Sequence, residues 1–139
     1  SARLADVLGV SHLYIKDDGL NPTGSMKDRA SILAVAKAIE AGLDTISCSS
    51  TGNAASSLAG NAAKAGLKTV IFVPERAPHG KLAQLLIYGS NLFIVKGDYK
   101  KAFQMSKAAI DHRPSNHRSL LGWNGESQKS FEVDNRQLN

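Results

Sequence analysis

The sequence predicts an α/β fold, with three αβα layers around an open, mainly parallel sheet of about four strands. Short apolar runs that are typical of buried strands alternate with segments long enough for helices. Residues 68–73 form the clearest of these runs, and Pro74 ends it. Glycines close several of the helical segments, among them Gly42, Gly66 and Gly89. This alternation is typical of βαβ units, in which helices cover both faces of a parallel sheet.

The order of the elements follows from the apolar pattern and from the turn residues. We expect strands at residues 13–16, 45–48, 68–73 and 91–95, with one more near 119–121. We expect the end of a helix at 4–9, helices at 27–41, from 53 to about 65, at 80–88 and at 98–110, and a short one at 127–133. The crossovers between parallel strands are expected to be right-handed.

The composition is that of a soluble globular protein. The 139 residues are 42% hydrophobic and 21% charged, and no apolar run has the length of a membrane span. The only cysteine, Cys48, lies in a predicted strand, where we expect a small buried residue rather than a nucleophile. We therefore expect residues 1–139 to form a single α/β domain in the reducing cytoplasm, with no membrane partner.

The positive charge does not predict a nucleic-acid partner. The net charge is +5, but the lysines and arginines are scattered through the helices and are not interleaved with aromatic residues. The one basic concentration, at residues 112–118, is interpreted as a solvated turn. The histidines at positions 12, 79, 112 and 117 have no spacing that suggests a metal site, so we expect none. Anionic small molecules remain compatible with this charge.

A lysine stands where a tight loop passes into an alanine-rich helix. Residues 21–29 read Asn-Pro-Thr-Gly-Ser-Met-Lys-Asp-Arg, and Lys27 is at the junction. The partial positive charge of a helix N-terminus favours the neutral, nucleophilic form of an amine, which can form a Schiff base with an aldehyde cofactor. The alternative is a capped helix start followed by a solvated turn, and the local pattern alone favours that alternative.

A second loop lies between a predicted strand and the helix that follows it. Residues 49–53 read Ser-Ser-Thr-Gly-Asn, and their hydroxyl and backbone N–H groups could hold a carboxylate or a phosphate at the helix N-terminus. Gly52 lets a ligand approach the backbone, and the Asn53 amide could hydrogen-bond a bound ring. Taken alone, the loop is equally well explained as a cluster of helix-capping residues.

Together the two loops resemble those of the fold-type-II enzymes that depend on pyridoxal phosphate. Within that group, residues 21–29 followed by the Ser-Thr-Gly-Asn of positions 50–53 most resemble threonine synthases. Residues 13–20, 80–84 and the stretch from Gly89 to Tyr99 also fit that family. The similarity extends from about Leu4 to Ala109, and it implies that the chain corresponds to the N-terminal, small-domain part of such an enzyme.

The resemblance implies a role for each residue of the two loops. Lys27 is expected to be the Schiff-base lysine and the acid/base that moves protons at the substrate carbons. Asn53 is expected to hydrogen-bond the phenolic oxygen of pyridoxal phosphate. Ser50, Thr51 and Gly52 are expected to bind the carboxylate of the amino-acid substrate. Ser25 and Lys81 are expected near the phosphate of that substrate. The implied reaction converts O-phosphohomoserine and water to threonine and phosphate.

The sequence departs from the family pattern in three places. The glycine-rich loop for the cofactor phosphate and the residue facing the pyridine nitrogen lie further downstream in the family. Ala54 and Asn124 stand where the family has a threonine and an arginine. We therefore expect weak or absent cofactor binding by the isolated chain, and we expect apolar surfaces without a partner to drive homo-oligomerisation. Two alternatives stay open: a non-catalytic α/β module that binds a small anion or self-associates, and another fold-type-II lyase or dehydratase.

Overall fold

The computed structural model describes residues 2–111 and 120–123, the last four as backbone only. Within this part of the chain, short helices and strands alternate after an irregular N-terminal stretch. In chain order the elements are α1 (Ala2–Leu8), a single 3₁₀ turn (Asp18–Leu20), α2 (Asp28–Glu40), β1 (Thr45–Ser49), α3 (Asn53–Lys64), β2 (Lys68–Pro74), α4 (His79–Ile87), β3 (Asn91–Val95), α5 (Tyr99–Asp111) and β4 (Leu120–Trp123).

The four strands form one parallel sheet in the order β3-β2-β1-β4. Thr45 of β1 lies opposite Lys68 of β2 on one side and Leu120 of β4 on the other. Helices α2, α3 and α4 pack together over one face of this sheet, whereas α5 packs across the other face. The predicted three-layer αβα fold with an open parallel sheet is therefore confirmed.

The main core lies between the sheet and the α2–α4 layer. Ile46, Leu58, Ile71 and Leu85 are fully buried there. The helices contribute mostly alanine to this core, and these small side chains let α2 and α3 approach each other closely. The buried alanines are Ala34 and Ala38 of α2 and Ala54, Ala55, Ala59 and Ala62 of α3.

The strand predicted at residues 13–16 is wrong. This segment is an irregular stretch before the 3₁₀ turn, and it pairs with none of the described strands. The side chains of Tyr14 and Ile15 are exposed. A short apolar run forms a strand only where a neighbouring strand offers backbone partners, and among the described residues no strand lies beside this segment. The helix predicted at 127–133 lies outside the described residues.

Large apolar side chains are exposed on the outer surface of the helical layer. Ile32 and Leu33 of α2 and Leu86 and Ile87 of α4 are each at least half exposed. Exposed apolar surface of this kind is commonly a contact surface for other protein. None of the helices in the described part of the chain combines the length and the apolar character that crossing a bilayer requires.

Candidate active site

Three helices begin close together at the carboxyl edge of the sheet. Helix α3 starts just after β1 ends, and two side-chain contacts connect its first turns to both of its neighbours. The Ser57 hydroxyl donates to Asp28 at the start of α2 at 2.7 Å, and the Ser56 hydroxyl donates to Gln84 of α4 at 3.0 Å. In parallel α/β sheets, this edge is where ligands bind. The loops before α2 and α3 and the first turn of α4, which contains Lys81, therefore lie along the same edge.

The loop before α2 is a hydrogen-bonded turn. The Gly24 N–H donates to the Asn21 carbonyl at 2.8 Å, and Gly24 has a φ of 69°, which a side chain would disfavour. The buried Ser25 hydroxyl accepts the N–H of Lys27 at 3.1 Å. Ser25, predicted near the substrate phosphate, thus also fixes the backbone of the lysine. Lys27 lies immediately before the first residue of α2.

The Lys27 side chain is half-buried, and its amine has no partner. Among the described residues, no acceptor or carboxylate lies within hydrogen-bonding or ion-pairing distance of Lys27 Nζ. The Lys16 amine, by contrast, is paired with Asp18. An amine that is half-buried and unpaired is available to react with a ligand in the same space.

Asp28, the next residue, is 1% exposed and accepts four hydrogen bonds. The Thr23 N–H donates to Oδ2 at 2.8 Å, while the Thr23 hydroxyl, the Ser57 hydroxyl and the Asn61 amide donate to Oδ1 at 2.7–2.8 Å. Burial raises the pKa of Asp28, but these bonds outweigh it and hold the pKa below the ordinary value of 3.8. We call Asp28, Thr23, Ser57 and Asn61 the buried carboxylate network.

A second carboxylate holds the outer side of the same loop. Asp18 Oδ1 accepts from Lys16 Nζ at 3.3 Å, from Asn21 Nδ2 at 3.2 Å and from Arg29 Nε at 3.1 Å. Desolvation raises the pKa of Asp18, but hydrogen bonds from Lys16 and Asn21 and the charge of Arg29 lower it below 3.8. The Lys16 and Arg29 side chains are mostly exposed. We call these four residues the Asp18 cluster.

The loop before α3 presents unused backbone donors. The Ser50 hydroxyl accepts the Gly52 N–H at 3.3 Å, and the N–H groups of Thr51, Asn53 and Ala54 have no acceptor within the described residues. A Cβ added to Gly52 would meet no atom within 4 Å, so the space beside it is open. Free N–H groups at a helix N-terminus beside open space fit a carboxylate. The exposed Asn53 leaves its amide free for a ring substituent.

These residues fit the aldehyde cofactor that the resemblance implies. The unpaired Lys27 amine can carry it, and a ligand can approach the backbone at Gly52 because no atom lies within 4 Å of a Cβ added there. Lys81 is half-buried in the first turn of α4, where a cation can face an anionic substituent.

Two other expectations concern residues away from these loops. Cys48 is buried, as predicted, and burial raises the pKa of its thiol to about 12. In the described ranges, no group of three His, Cys, Asp or Glu side chains is arranged to hold a metal ion. Asn124 and the basic segment at 112–118 lie outside those ranges.

The sequence analysis missed the buried carboxylate network. Ser57 and Asn61 are one helical turn apart on α3, in a helix whose buried face is otherwise mostly alanine. Polar residues at this spacing inside an apolar stripe indicate a buried polar partner. Gly60 was a further sign, since a glycine inside a helix usually has a packing reason.

The comparisons with known proteins show the family of this chain. A family model described as "Pyridoxal-phosphate dependent enzyme" matches residues 1–135. A threonine synthase from Bacillus sp. strain ULM1 is 48% identical over 130 residues, which are 91% of this chain and 37% of that protein. A threonine synthase from Methanocaldococcus jannaschii is 44% identical over 101 residues, 72% of this chain and 25% of that protein. The chain thus spans about a quarter to slightly more than a third of these relatives.

Solved structures agree on the fold. An O-acetylserine dependent cystathionine beta-synthase from Helicobacter pylori aligns with a TM-score of 0.62 and 28% identity, over 74% of this chain and 35% of that chain. A cysteine synthase from Entamoeba histolytica aligns with a TM-score of 0.66 over 76% of this chain and 32% of that chain. At 23% identity, this second likeness concerns the fold alone.

Proposed function

Because the chain belongs to the family of pyridoxal-phosphate dependent enzymes, we propose that it carries the lysine side of a threonine synthase active site. The observation that carries this proposal is the unpaired, half-buried Lys27 amine at the edge where α3 presents free N–H groups. Residues 1–139 then correspond to one α/β domain, the small N-terminal domain of such an enzyme.

Each loop has a distinct task in this proposal. Lys27 holds the cofactor through its amine and then moves protons at the substrate carbons. Asn53 donates its amide hydrogen to the phenolic oxygen of the cofactor, which keeps the ring in one orientation. The substrate carboxylate binds at Ser50, Thr51 and Gly52, where the free N–H group of Thr51 and those of Asn53 and Ala54 beside it can donate to its oxygens. When bound, pyridoxal phosphate supplies an electron sink for carbanions formed on the substrate.

The proposed substrate is O-phosphohomoserine, which reacts with water to give threonine and phosphate. The relatives named threonine synthase support this choice, and Ser25 and Lys81 are the proposed neighbours of the substrate phosphate. The alternative is a fold-type-II lyase or dehydratase with a different substrate, for which Ala54 and Asn124 are the sequence features in favour.

Reductive trapping tests the role of Lys27 even if cofactor binding is weak. Borohydride added to the chain with pyridoxal phosphate fixes the cofactor on any lysine that carries it, and mass spectrometry of peptides locates that lysine. We expect trapping at Lys27 to exceed trapping at Lys107, which is exposed on α5. The Lys27→Ala variant should lose this preferred site, whereas Lys107→Ala should keep it. Equal labelling of all exposed lysines would contradict the proposal.

Competition distinguishes the proposed substrate from the alternative. O-phosphohomoserine should reduce trapping at Lys27 at lower concentration than homoserine does, because only the former carries a phosphate for Lys81. The Lys81→Ala variant should remove this difference between the two amino acids. If homoserine competes equally well with the unaltered chain, the substrate is not phosphorylated and the alternative is favoured.

We also propose that the chain self-associates in the reducing cytoplasm. The exposed apolar side chains of α2 and α4 support self-association, and the free thiol of Cys48 fits a reducing compartment. Neither a nucleic acid nor a membrane is a proposed partner. Light scattering at micromolar concentration should give a mass of at least two chains, and a single monomer mass would contradict this expectation.

A further inference from the structure

The buried carboxylate network connects the lysine loop to α3 across a large sequence separation. Asp28 accepts hydrogen bonds from Ser57 and Asn61, which are 29 and 33 residues further along the chain. It also accepts hydrogen bonds from the N–H and the hydroxyl of Thr23, which lies four residues before Lys27 in the turn. One buried carboxylate thus holds the residues on both sides of Lys27 against the helix that begins at Asn53.

The partners of Asp28 require an acceptor. The Thr23 N–H and the Asn61 amide can only donate in these two contacts, and they lie on different oxygens of the carboxylate. An asparagine at position 28 would place its NH₂ group against one of these donors. The network therefore needs a carboxylate and not merely a polar side chain of the same shape.

A packing contact acts beside the hydrogen bonds. A Cβ added at Gly60 of α3 would lie 2.7 Å from the Thr23 Cγ2 methyl, which is closer than real side chains approach. It would lie 3.3 Å from Tyr88 Cζ, where a small movement of the ring relieves the contact. Gly60 therefore lets Thr23 approach α3, and the Thr23 side chain cannot swing away without breaking its bond to Asp28.

We propose that Asp28 is the positioning residue for Lys27: through Thr23, Ser57 and Asn61 it sets where the lysine stands relative to Asn53. This inference rests on the proposed function, because the cofactor must reach Lys27 and Asn53 at once. Asp28 acts through the backbone that carries the lysine and does not touch the cofactor. A displacement of about 1 Å at a reacting group can cost about 100-fold in rate.

The first test compares Asp28→Asn with Asp18→Asn. Both changes neutralise a carboxylate that holds the same loop, and only the first leaves buried donors without an acceptor. In the folded Asp28→Asn variant, the ratio of trapped cofactor at Lys27 to that at Lys107 should fall by about 10- to 100-fold. In Asp18→Asn the ratio should stay within about twofold of that of the unaltered chain, because water can hydrate the exposed partners of Asp18.

Amide hydrogen exchange provides a readout that needs no cofactor. Residues 21–31 should exchange about tenfold faster in Asp28→Asn than in the unaltered chain, because donors lost from Asp28 loosen this segment. Residues of α5, on the opposite face of the sheet, should exchange at an unchanged rate. If trapping shows no preference for Lys27 even in the unaltered chain, the proposed function is wrong, and hydrogen exchange alone then decides the role of Asp28.

A steric variant covers the case in which Asp28→Asn does not fold. Gly60→Ala removes no polar group, and helix propensity alone would make it stabilise α3. We nevertheless expect it to lower the Lys27 to Lys107 ratio and to speed exchange at 21–31, because it pushes Thr23 away. Adding Thr23→Ser removes the clashing methyl, keeps the hydroxyl and should restore both measurements.

Two results would overturn the positioning role. One is a folded Asp28→Asn variant with an unchanged labelling ratio, whether or not exchange at residues 21–31 is faster, which would leave Asp28 a residue of stability alone. The other is a Gly60→Ala variant with unchanged labelling and exchange, because the close contact with Thr23 would then not set the position of the loop.

Discussion

Asp28 and Asp18 hold the same loop from opposite sides, and they differ in access to water. Each accepts several hydrogen bonds, and each has a pKa below the ordinary value. The Asp28 side chain is enclosed between α2 and α3, whereas Asp18 is about one-third exposed and two of its partners are long, mostly exposed cations. Without the carboxylate, the buried donors would have no substitute acceptor, but the exposed ones would be hydrated.

The partners also differ in sequence distance. Those of Asp18 are Lys16, Asn21 and Arg29, at most 11 residues away, so this cluster shapes the loop itself. Asp28 accepts hydrogen bonds from two side chains of α3, so the buried carboxylate network attaches the loop to the rest of the fold. Similar numbers of hydrogen bonds can therefore have different consequences for stability and for the site.

The largest expected effect is that of Asp28→Asn on stability. We expect the free energy of unfolding to fall by about 2–4 kcal/mol, because one of the two obligate donors is left facing an NH₂ group in a buried space and the charge that strengthened the other bonds is lost. Urea denaturation followed by circular dichroism measures this loss. A loss below about 0.5 kcal/mol would mean that the donors find other acceptors and that burial does not distinguish the two carboxylates.

The pH dependence of that loss follows from the lowered pKa of Asp28. Because the folded-state pKa lies below 3.8, the carboxylate's contribution is fully present above that pH and is lost as the pH falls through the folded-state pKa. The stability difference between the unaltered chain and Asp28→Asn should thus be constant from pH 7 to about pH 5 and shrink below about pH 3.8. Urea midpoints across this range test it, and a difference that grows towards acid would contradict it.

The elements that the sequence predicted well are those whose own residues determine them. Residues 45–48, 68–73 and 91–95 are strands within one residue at each end, because apolar runs between turn residues define them locally. The strand predicted at residues 13–16 is wrong, because a strand also needs a partner strand, and a local apolar pattern does not show whether one is present. The convergence of both loops at one edge was predictable from the parallel βαβ order.

The buried carboxylate network could not be predicted in the same way. Whether Asp28 points to solvent or to α3 depends on how closely α2 and α3 pack, and that depends on alanines of both helices. Gly60 in turn decides how closely Thr23 approaches α3. The local pattern of Lys27, Asp28 and Arg29 is equally typical of a solvated turn. Only the packed structure distinguishes Asp28 from the exposed Arg29 beside it.

An intermediate effect is expected when Asp28 loses one donor of four. Thr23→Val removes the hydroxyl that bonds Asp28 and keeps a methyl against Gly60, so we expect a loss of about 1 kcal/mol in the free energy of unfolding. Thr51→Val is the matched control, since the Thr51 hydroxyl has no partner among the described residues. Equal losses in both variants would show that the measurement reports the threonine-to-valine exchange and not the network.

The smallest effect is expected from Asp18→Asn. The Asp18 cluster combines an exposed ion pair to Lys16 with one to Arg29, and exposed pairs are weakened by water and salt. Thermal unfolding at low salt should show a small decrease in the midpoint for Asp18→Asn, and the decrease should vanish in 1 M sodium chloride as the Debye length falls to about 3 Å. The Asp28→Asn decrease should persist at both salt concentrations, because buried hydrogen bonds are not screened. If salt reduced both decreases alike, long-range charge and not burial would explain what the two carboxylates do for the lysine loop.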